Sequence, residues 1–321
     1  MKKSLIFILL CVLLAILLIA DLCCGSTFIN PFSSSLTGVE QQIWWNIRLP
    51  RAITAVLAGV ALSLSGLLMQ TLFRNPLAGP YILGVSSGAG LGVALITMCA
   101  AIGVHIAGSF SIALAAIIGA NAVLLLVIAI AKRVRSNVSL LIVGMMLGSI
   151  AGALVSVMQN FANPDSLKLF IVWTLGSLSS VGWGELTVLV PVVILGIVLC
   201  LILLKPLNGL LLGENYARGL GINVERTRVG IVLATGLLSG GVTAFCGPIA
   251  FVGVAVPHIA RGVLRTSNHR LTMPACALVG ADLLLVCDIL CNIGTYALPI
   301  STMSALFGAP IIVWIILRGK S

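Results

Sequence analysis

Few residues in this 321-residue chain could do chemistry. Asp282 and Asp288 are the only acidic residues well inside an apolar segment. A carboxylate in a bilayer costs several kcal/mol unless it is paired or wetted, which makes each a functional candidate by default. Asp288 lies near one end of its segment, within reach of water, and Asp282 lies nearer the middle. Asp282 suits a proton- or sodium-coupled carrier. A neutral or hydrogen-bonded Asp packed against a polar neighbour is the other reading, and the favoured one. Enzyme signatures are absent: there is no HExxH, no GxSxG and no pair of carboxylates in a soluble pocket. The terminal Arg318-Gly319-Lys320-Ser321 has the look of a phosphate loop, but the glycine such a loop needs earlier is Trp314, so it is read as an accident.

Metal chemistry finds no better footing. The three histidines, His105, His258 and His269, are far apart in sequence, and His258 reads as a hydrogen-bonded residue at a helix boundary. Of nine cysteines, Cys11, Cys99, Cys200, Cys246, Cys276, Cys287 and Cys291 sit within or at the ends of apolar runs, and no CxxC pair exists. Small apolar packing residues are the better reading. Cys23 and Cys24 fall at a membrane boundary and receive no role. The expectation is no metal site, no cofactor in this chain and no enzymatic activity of its own.

The elements that carry these residues are membrane spans. The chain is 60% hydrophobic and 8% charged, where a soluble domain is roughly a quarter charged. Tyr81–Ala131 contains no Lys, Arg, Asp or Glu, room enough for two spans of roughly 20 residues each. Apolar segments fall at Ser4–Ala20, Ala52–Phe73, Ile82–Ala101, Ile106–Ala131, Val138–Met158, Leu186–Leu204, Val229–Cys246, Ile249–Val263, Met273–Cys291 and Ser301–Leu317. The reading is an all-α polytopic protein with about ten transmembrane helices, in one domain over residues 1–321. The segments lack the alternation of a membrane barrel. Lys2 and Lys3 before the first segment also fit a signal peptide, but no convincing cleavage site follows, and a retained helix is favoured.

Net charge of +10 does not indicate nucleic acid, because the cations sit in short connections between apolar runs. With an internal N-terminus, only Arg48, Arg51 and Lys168 of the eighteen Lys and Arg lie outside. That bias predicts both termini in the cytoplasm. Two connections are long. The outer one, Gln159–Glu185, contains an amphipathic run that predicts a short interfacial helix, with Trp173 and Trp183 at headgroup depth. The inner one, Leu207–Arg228, joins a leucine run to a polar, glycine-punctuated stretch, the composition of a docking element for a cytoplasmic partner. Gly144, Gly148 and Gly152 repeat every four residues, as do Gly84, Gly88 and Gly92, and predict close helix packing. The runs beginning at Leu62 and Thr235 share a Ser-Gly, a proline turn and a glycine-containing apolar run, a faint inverted repeat.

Arg48–Gly90 resembles the signature of the FecCD-type permeases, the membrane subunits of type II ABC importers for iron-siderophores, haem and cobalamin. The resemblance continues through "LIVGMMLGS", "VWTLGSL", "ARGLGINVERTR", "GPIAFVGVAVPHIARG" and "ALPISTMSALFGAPIIVWIILR", over nearly the whole chain. It implies a homodimer in the bacterial inner membrane with the pathway on the dimer axis. Two ATPase subunits, carrying ATP and Mg, would dock inside, and a substrate-binding protein outside. The resemblance gives Arg48 and Arg51 the role of meeting acidic residues of the binding protein. It makes Leu207–Arg228 the coupling segment, with Tyr216, Ala217, Arg218, Gly219, Leu220 and Gly221 at the ATPase. It places the cytoplasmic gate at Ser136, Asn137 and Val138. The sequence departs from the family at Asn292, where an arginine is usual, and at Ala297 and Ser301, where a glutamate and a glycine are usual. An iron(III)-siderophore is the expected cargo, with haem and cobalamin as alternatives.

Overall fold

The computed structural model describes residues 3–25, 38–98, 109–131, 133–134, 136–294 and 297–318. Among them the secondary structure is helical throughout, with no strand. Cys99, His105, Lys132, Arg135 and the terminal Gly319-Lys320-Ser321 lie outside the described residues.

The helices are α1 (Lys3–Cys23), α2 (Gly38–Phe73), α3 (Val85–Met98), α4 (Ser109–Ala131) and α5 (Asn137–Phe161). There follow α6 (Pro164–Leu175), α7 (Trp183–Ile202), α8 (Leu204–Leu211), α9 (Glu214–Gly219), α10 (Val224–Cys246), α11 (Val252–Leu264), α12 (His269–Asn292) and α13 (Ile300–Arg318). Within the described residues, each apolar segment read from the sequence overlaps one of these helices, with Leu186–Leu204 reaching from α7 into α8. Seven helices are long and apolar enough to cross a membrane, namely α1, α2, α4, α5, α7, α10 and α12. The apolar parts of α3, α11 and α13 are shorter, at 10–17 residues. The outer connection contains α6, as expected, started by Asn163, whose Oδ1 accepts from Ser166 N at 2.8 Å.

α2 is the axis of the bundle. Most of it is buried on every side, the behaviour of a helix apolar all round. Small residues make this possible. Gly59 meets the backbone of Gly280 on α12, and Gly66 meets the backbone of Gly253 on α11. A methyl group at either position would collide with main chain, which cannot step aside as a side chain can. α3 joins α4 in the same manner, with Gly88 and Gly92 against Gly119 and Ala115. By contrast α1, α5 and α7 keep long apolar faces exposed, as lipid-facing or partner-facing helices do.

Two helices contain a π-helical turn, Trp44–Arg48 in α2 and Gly236–Gly240 in α10. Such turns widen a helix locally and recur near functional positions. The glycine stripe on α5 is only partly a packing seam. Gly144 and Gly148 sit against Ile82, Leu83, Gly84 and Ser87, whereas an added methyl at Gly152 would meet nothing within 4 Å.

Candidate functional site

The chemistry-bearing residues gather at the two ends of the bundle. At one end, α1 finishes, α2 begins and α12 finishes, so three charge-bearing helix ends converge. Arg51 Nε lies 2.8 Å from Asp288 Oδ2, and Arg51 Nη2 lies 3.9 Å from Asp21 Oδ1. All three side chains are buried; Asp21 is 0% exposed. Arg48 Nη1 donates to the carbonyls of Cys23 at 2.6 Å and Leu22 at 3.1 Å. Those are carbonyls of the last turn of α1, which no helical N–H can satisfy, and a cation complements the dipole there. Asn292 Nδ2 donates to the backbone oxygen of Asp288 at 2.7 Å and lies 3.2 Å from its Oδ1. The residue that departs from the family pattern thus braces the Asp288 carboxylate.

This geometry differs from the picture of two arginines presented outward. Arg48 and Arg51 are 3% and 5% exposed, and their guanidiniums are occupied within the chain. Asp21 escaped the sequence reading because it stands one residue past the first apolar segment. Two buried-facing arginines near the start of α2, with one carboxylate at the same end of α12, were the available signal for a second acid. Beside this cluster the indole Nε1 of Trp183 donates to Trp45 O at 3.0 Å, and Trp44, Trp45 and Trp183 stack in a row. Trp173 turns instead toward a mainly apolar recess of ≈ 220 Å³ with Leu169, Ser180, Glu185 and Phe245. Ser301 Oγ donates to Pro248 O, and Ala297 is exposed.

At the other end stand the expected gate and coupling residues. α9 is bounded by Gly213 and Gly221, at φ 113° and 79°, values that a side chain strains to adopt. These two glycines fold a six-residue helix out from the bundle. Tyr216 on it and Leu220 just after it are 60% and 58% exposed, and Arg218, Gly219 and Gly221 are exposed as well. Ala217 is not: it is fully buried, facing Gly209 and Ile222, and so anchors the helix. Ser136 and Val138 are exposed beside the start of α5. Asn137 points inward. Its Nδ2 donates to Leu72 O on α2 at 2.8 Å and to Glu214 Oε1 at 2.5 Å. The same Glu214 oxygen lies 3.5 Å from Arg228 Nη2, and Arg228 Nη1 donates to Val134 O at 2.7 Å. Glu214 and Arg228 were not singled out from the sequence; Arg228 counted only as one inner cation among many.

His269 adds a second tie at this end. Its ring lies between Thr71 Oγ1 on α2, at 2.9 Å, and Asn208 Oδ1 on α8, at 3.0 Å. His258 Nε2 donates to Pro76 O at 2.8 Å, the hydrogen-bonded role expected of it. Gln70 donates to Val254 O at 3.0 Å and accepts from Arg261. Asp282 lies on α12, 6% exposed, with no hydrogen-bond partner within the described residues. No group of three or more His, Cys, Asp or Glu that could hold a metal occurs among the described residues, and the described cysteines are free.

A sequence profile of the FecCD transport family matches residues 7–318. The chain belongs to the FecCD transport family. The vitamin B12 import system permease protein BtuC of Klebsiella pneumoniae is 37% identical over 312 residues, covering 96% of this chain and 92% of that one. The BtuC protein of Escherichia coli O9:H4 is 36% identical over 311 residues, covering 96% and 94%. A solved structure described as a metal-chelate type ABC transporter in an inward-facing conformation superposes with a TM-score of 0.88 at 30% identity, covering 98% of this chain and 99% of that one. For a FecCD permease, the protruding α9 and the charge cluster at the opposite end are the two features that separate one face of the bundle from the other.

Proposed function

We propose that this chain is the pathway-forming subunit of an ABC importer for a metal chelate, working as a homodimer in the bacterial inner membrane. The α9 end faces the cytoplasm with both termini, and the Arg51–Asp288 end faces outward. The observation that carries the reading is α9 itself. A short helix anchored by Ala217 and Glu214 turns Tyr216 and the following Leu220 outward, between two glycines at positive φ. It is suited to enter a groove on a soluble ATPase. That ATPase, a separate subunit present twice, would supply the ATP and Mg chemistry.

The pathway lies between two copies. Two recesses between the helices, of ≈ 220 and ≈ 150 Å³, fall below the roughly 300–1,000 Å³ of pockets for drug-sized ligands; a larger one of ≈ 450 Å³ is an open depression at the α8 end, lined by Lys205, Asn208 and Arg270. The exposed face of α5, with Val138, Met146, Ile150 and Leu154, is the wall offered to the axis. Ser136, Asn137 and Val138 at its foot form the cytoplasmic gate. The substrate-binding protein docks on the outer face that Arg48 and Arg51 organise. The likeness to vitamin B12 permeases and to a metal-chelate transporter supports cargo of that class, a corrinoid or an iron(III) chelate, siderophore and haem included.

The test is reconstitution of the chain with its ATPase and binding protein in proteoliposomes. Uptake of radiolabelled cobalamin and of ferric siderophores is compared with and without internal ATP. ATP-dependent uptake of one of them is expected. Uptake driven by a proton or sodium gradient without ATP would overturn the proposal.

A further inference from the structure

We infer that Glu214 is a positioning residue that transmits movement of α9 to the gate at Asn137. This rests on the coupling and gate roles proposed above and names the link between them. Glu214 is the first residue of α9, and Asn137 is the first residue of α5. They are 77 positions apart in sequence, yet Glu214 Oε1 accepts from Asn137 Nδ2 at 2.5 Å. Asn137 Nδ2 also reaches Leu72 O at the end of α2, so one amide group joins the mobile candidate, α5, to the central helix.

Arg228 makes the link directional. It is 2% exposed at the start of α10 and fixed to Val134 O just before α5. Its guanidinium faces the same Glu214 oxygen at 3.5 Å. The Arg228 guanidinium thus borders the same carboxylate that Asn137 holds. Glu214 therefore cannot follow α9 away from the bundle without drawing Asn137 with it or breaking that hydrogen bond. A displacement of α9 by an ATPase is converted into a pull on the first turn of α5, where Val138 stands exposed beside the hydrogen-bonded Asn137. His269, on α12, ties α8 to α2 through Asn208 and Thr71.

The experiment uses the whole complex of chain and ATPase, reconstituted, with the nine native cysteines replaced and cysteine introduced at position 138. The readout is its rate of reaction with a membrane-impermeant maleimide on the cytoplasmic side, with and without ATP. Crosslinking from position 216 to the ATPase is followed in parallel. The parent is expected to change rate at least fivefold with ATP. Glu214→Ala is expected to cut that change below twofold while the crosslink from position 216 persists. Glu214→Gln, which keeps an oxygen acceptor for Asn137, is expected to retain at least half of it. Asn137→Ala is expected to match Glu214→Ala, and the double variant to be no worse than either. A full ATP-dependent change in Glu214→Ala with the crosslink intact overturns the inference and leaves the proposed function standing. A parent with neither crosslink nor ATP response overturns the proposed function, and the inference with it. If Glu214→Ala fails to assemble, Asn137→Ala decides, since it spares the Glu214–Arg228 pair. A retained ATP response there overturns the inference, and its loss supports it.

Discussion

Replacing Arg51 by methionine should be the most damaging single change at the end of the bundle where α1, α2 and α12 meet. The methionine keeps the approximate length and removes the charge. What remains is Asp21 at 0% exposure and Asp288 at 3%, two carboxylates with their shared cation gone. Removing one partner of a buried ion pair costs about 3–5 kcal/mol, because the other charge stays buried and unpaired. Arg48 offers little relief, since it is already committed to the carbonyls of Leu22 and Cys23. In soluble domains of comparable size each kcal/mol moves Tm by roughly 2–4 °C, so a fall on the order of 10 °C is expected. The assay is thermal unfolding of the detergent-solubilised chain, followed by the loss of its monodisperse peak in size exclusion. A triple variant, Arg51→Met with Asp21→Asn and Asp288→Asn, removes the stranded charges as well and should recover most of the loss. A melting temperature for Arg51→Met within 1 °C of the parent would refute the reasoning. So would a triple variant no more stable than the single one.

Four further outcomes are expected. Gly66→Ala, which drives a methyl into the Gly253 main chain, should destabilise the chain strongly, whereas Gly152→Ala should leave its melting unchanged; loss of the proposed homodimer in Gly152→Ala, read by light scattering, would show that this open stretch of α5 packs against a second copy. Arg48→Gln keeps donors for the α1 carbonyls but drops the charge, so a slower, less salt-sensitive association of the binding protein would show direct docking by charge, and unchanged rates would show that Arg48 only caps α1. Asp282→Asn should retain ATP-driven uptake; abolished uptake in a correctly assembled complex would favour the ion-coupled alternative. Single cysteines at positions 215 and 166 should be labelled from the inside and the outside respectively, and the reverse pattern in intact cells would invert the topology.

The helices were legible because their signal is local. Every apolar run from Ser4–Ala20 to Ser301–Leu317 needs only its own residues to be recognised, and within the described residues each overlaps a helix. The short α6 and the exposed α9 were legible for the same reason, from a polar face in one and paired glycines in the other. Charge pairing was not. The pairing of Arg51 with Asp21 and Asp288 joins residues from three distant segments, and a single sequence records no contact between them. A positive-inside count treats Arg48 and Arg51 as solvent-side charges, so it could not see that α1 and α12 enclose them. Glu214 was hidden differently. It begins a segment whose glycines and tyrosine drew the eye, while its partner Asn137 was read only as part of a gate. Ala217 shows the limit of reading a motif as one surface: five of the six expected coupling residues are exposed, and it is the buried hinge pin.

The meeting of Gly59 with Gly280 has a consequence for how the chain is made. α2 leaves the ribosome roughly 220 residues before the stretch of α12 against which it must lie, an interval of about 11–44 s at roughly 5–20 residues per second. Throughout that interval the small-residue seam of α2 lacks α11 and α12, which do not yet exist. Of the two carboxylates within the described residues that lie near Arg51, Asp21 on α1 is already synthesised and Asp288 is not. The newborn chain should therefore wait as an α1–α2 hairpin held by that contact, sheltered by the insertion machinery, until the acid at 288 arrives. Nascent chains arrested before residue 269 should crosslink from position 59 to the insertase, and chains arrested well after 292 should not.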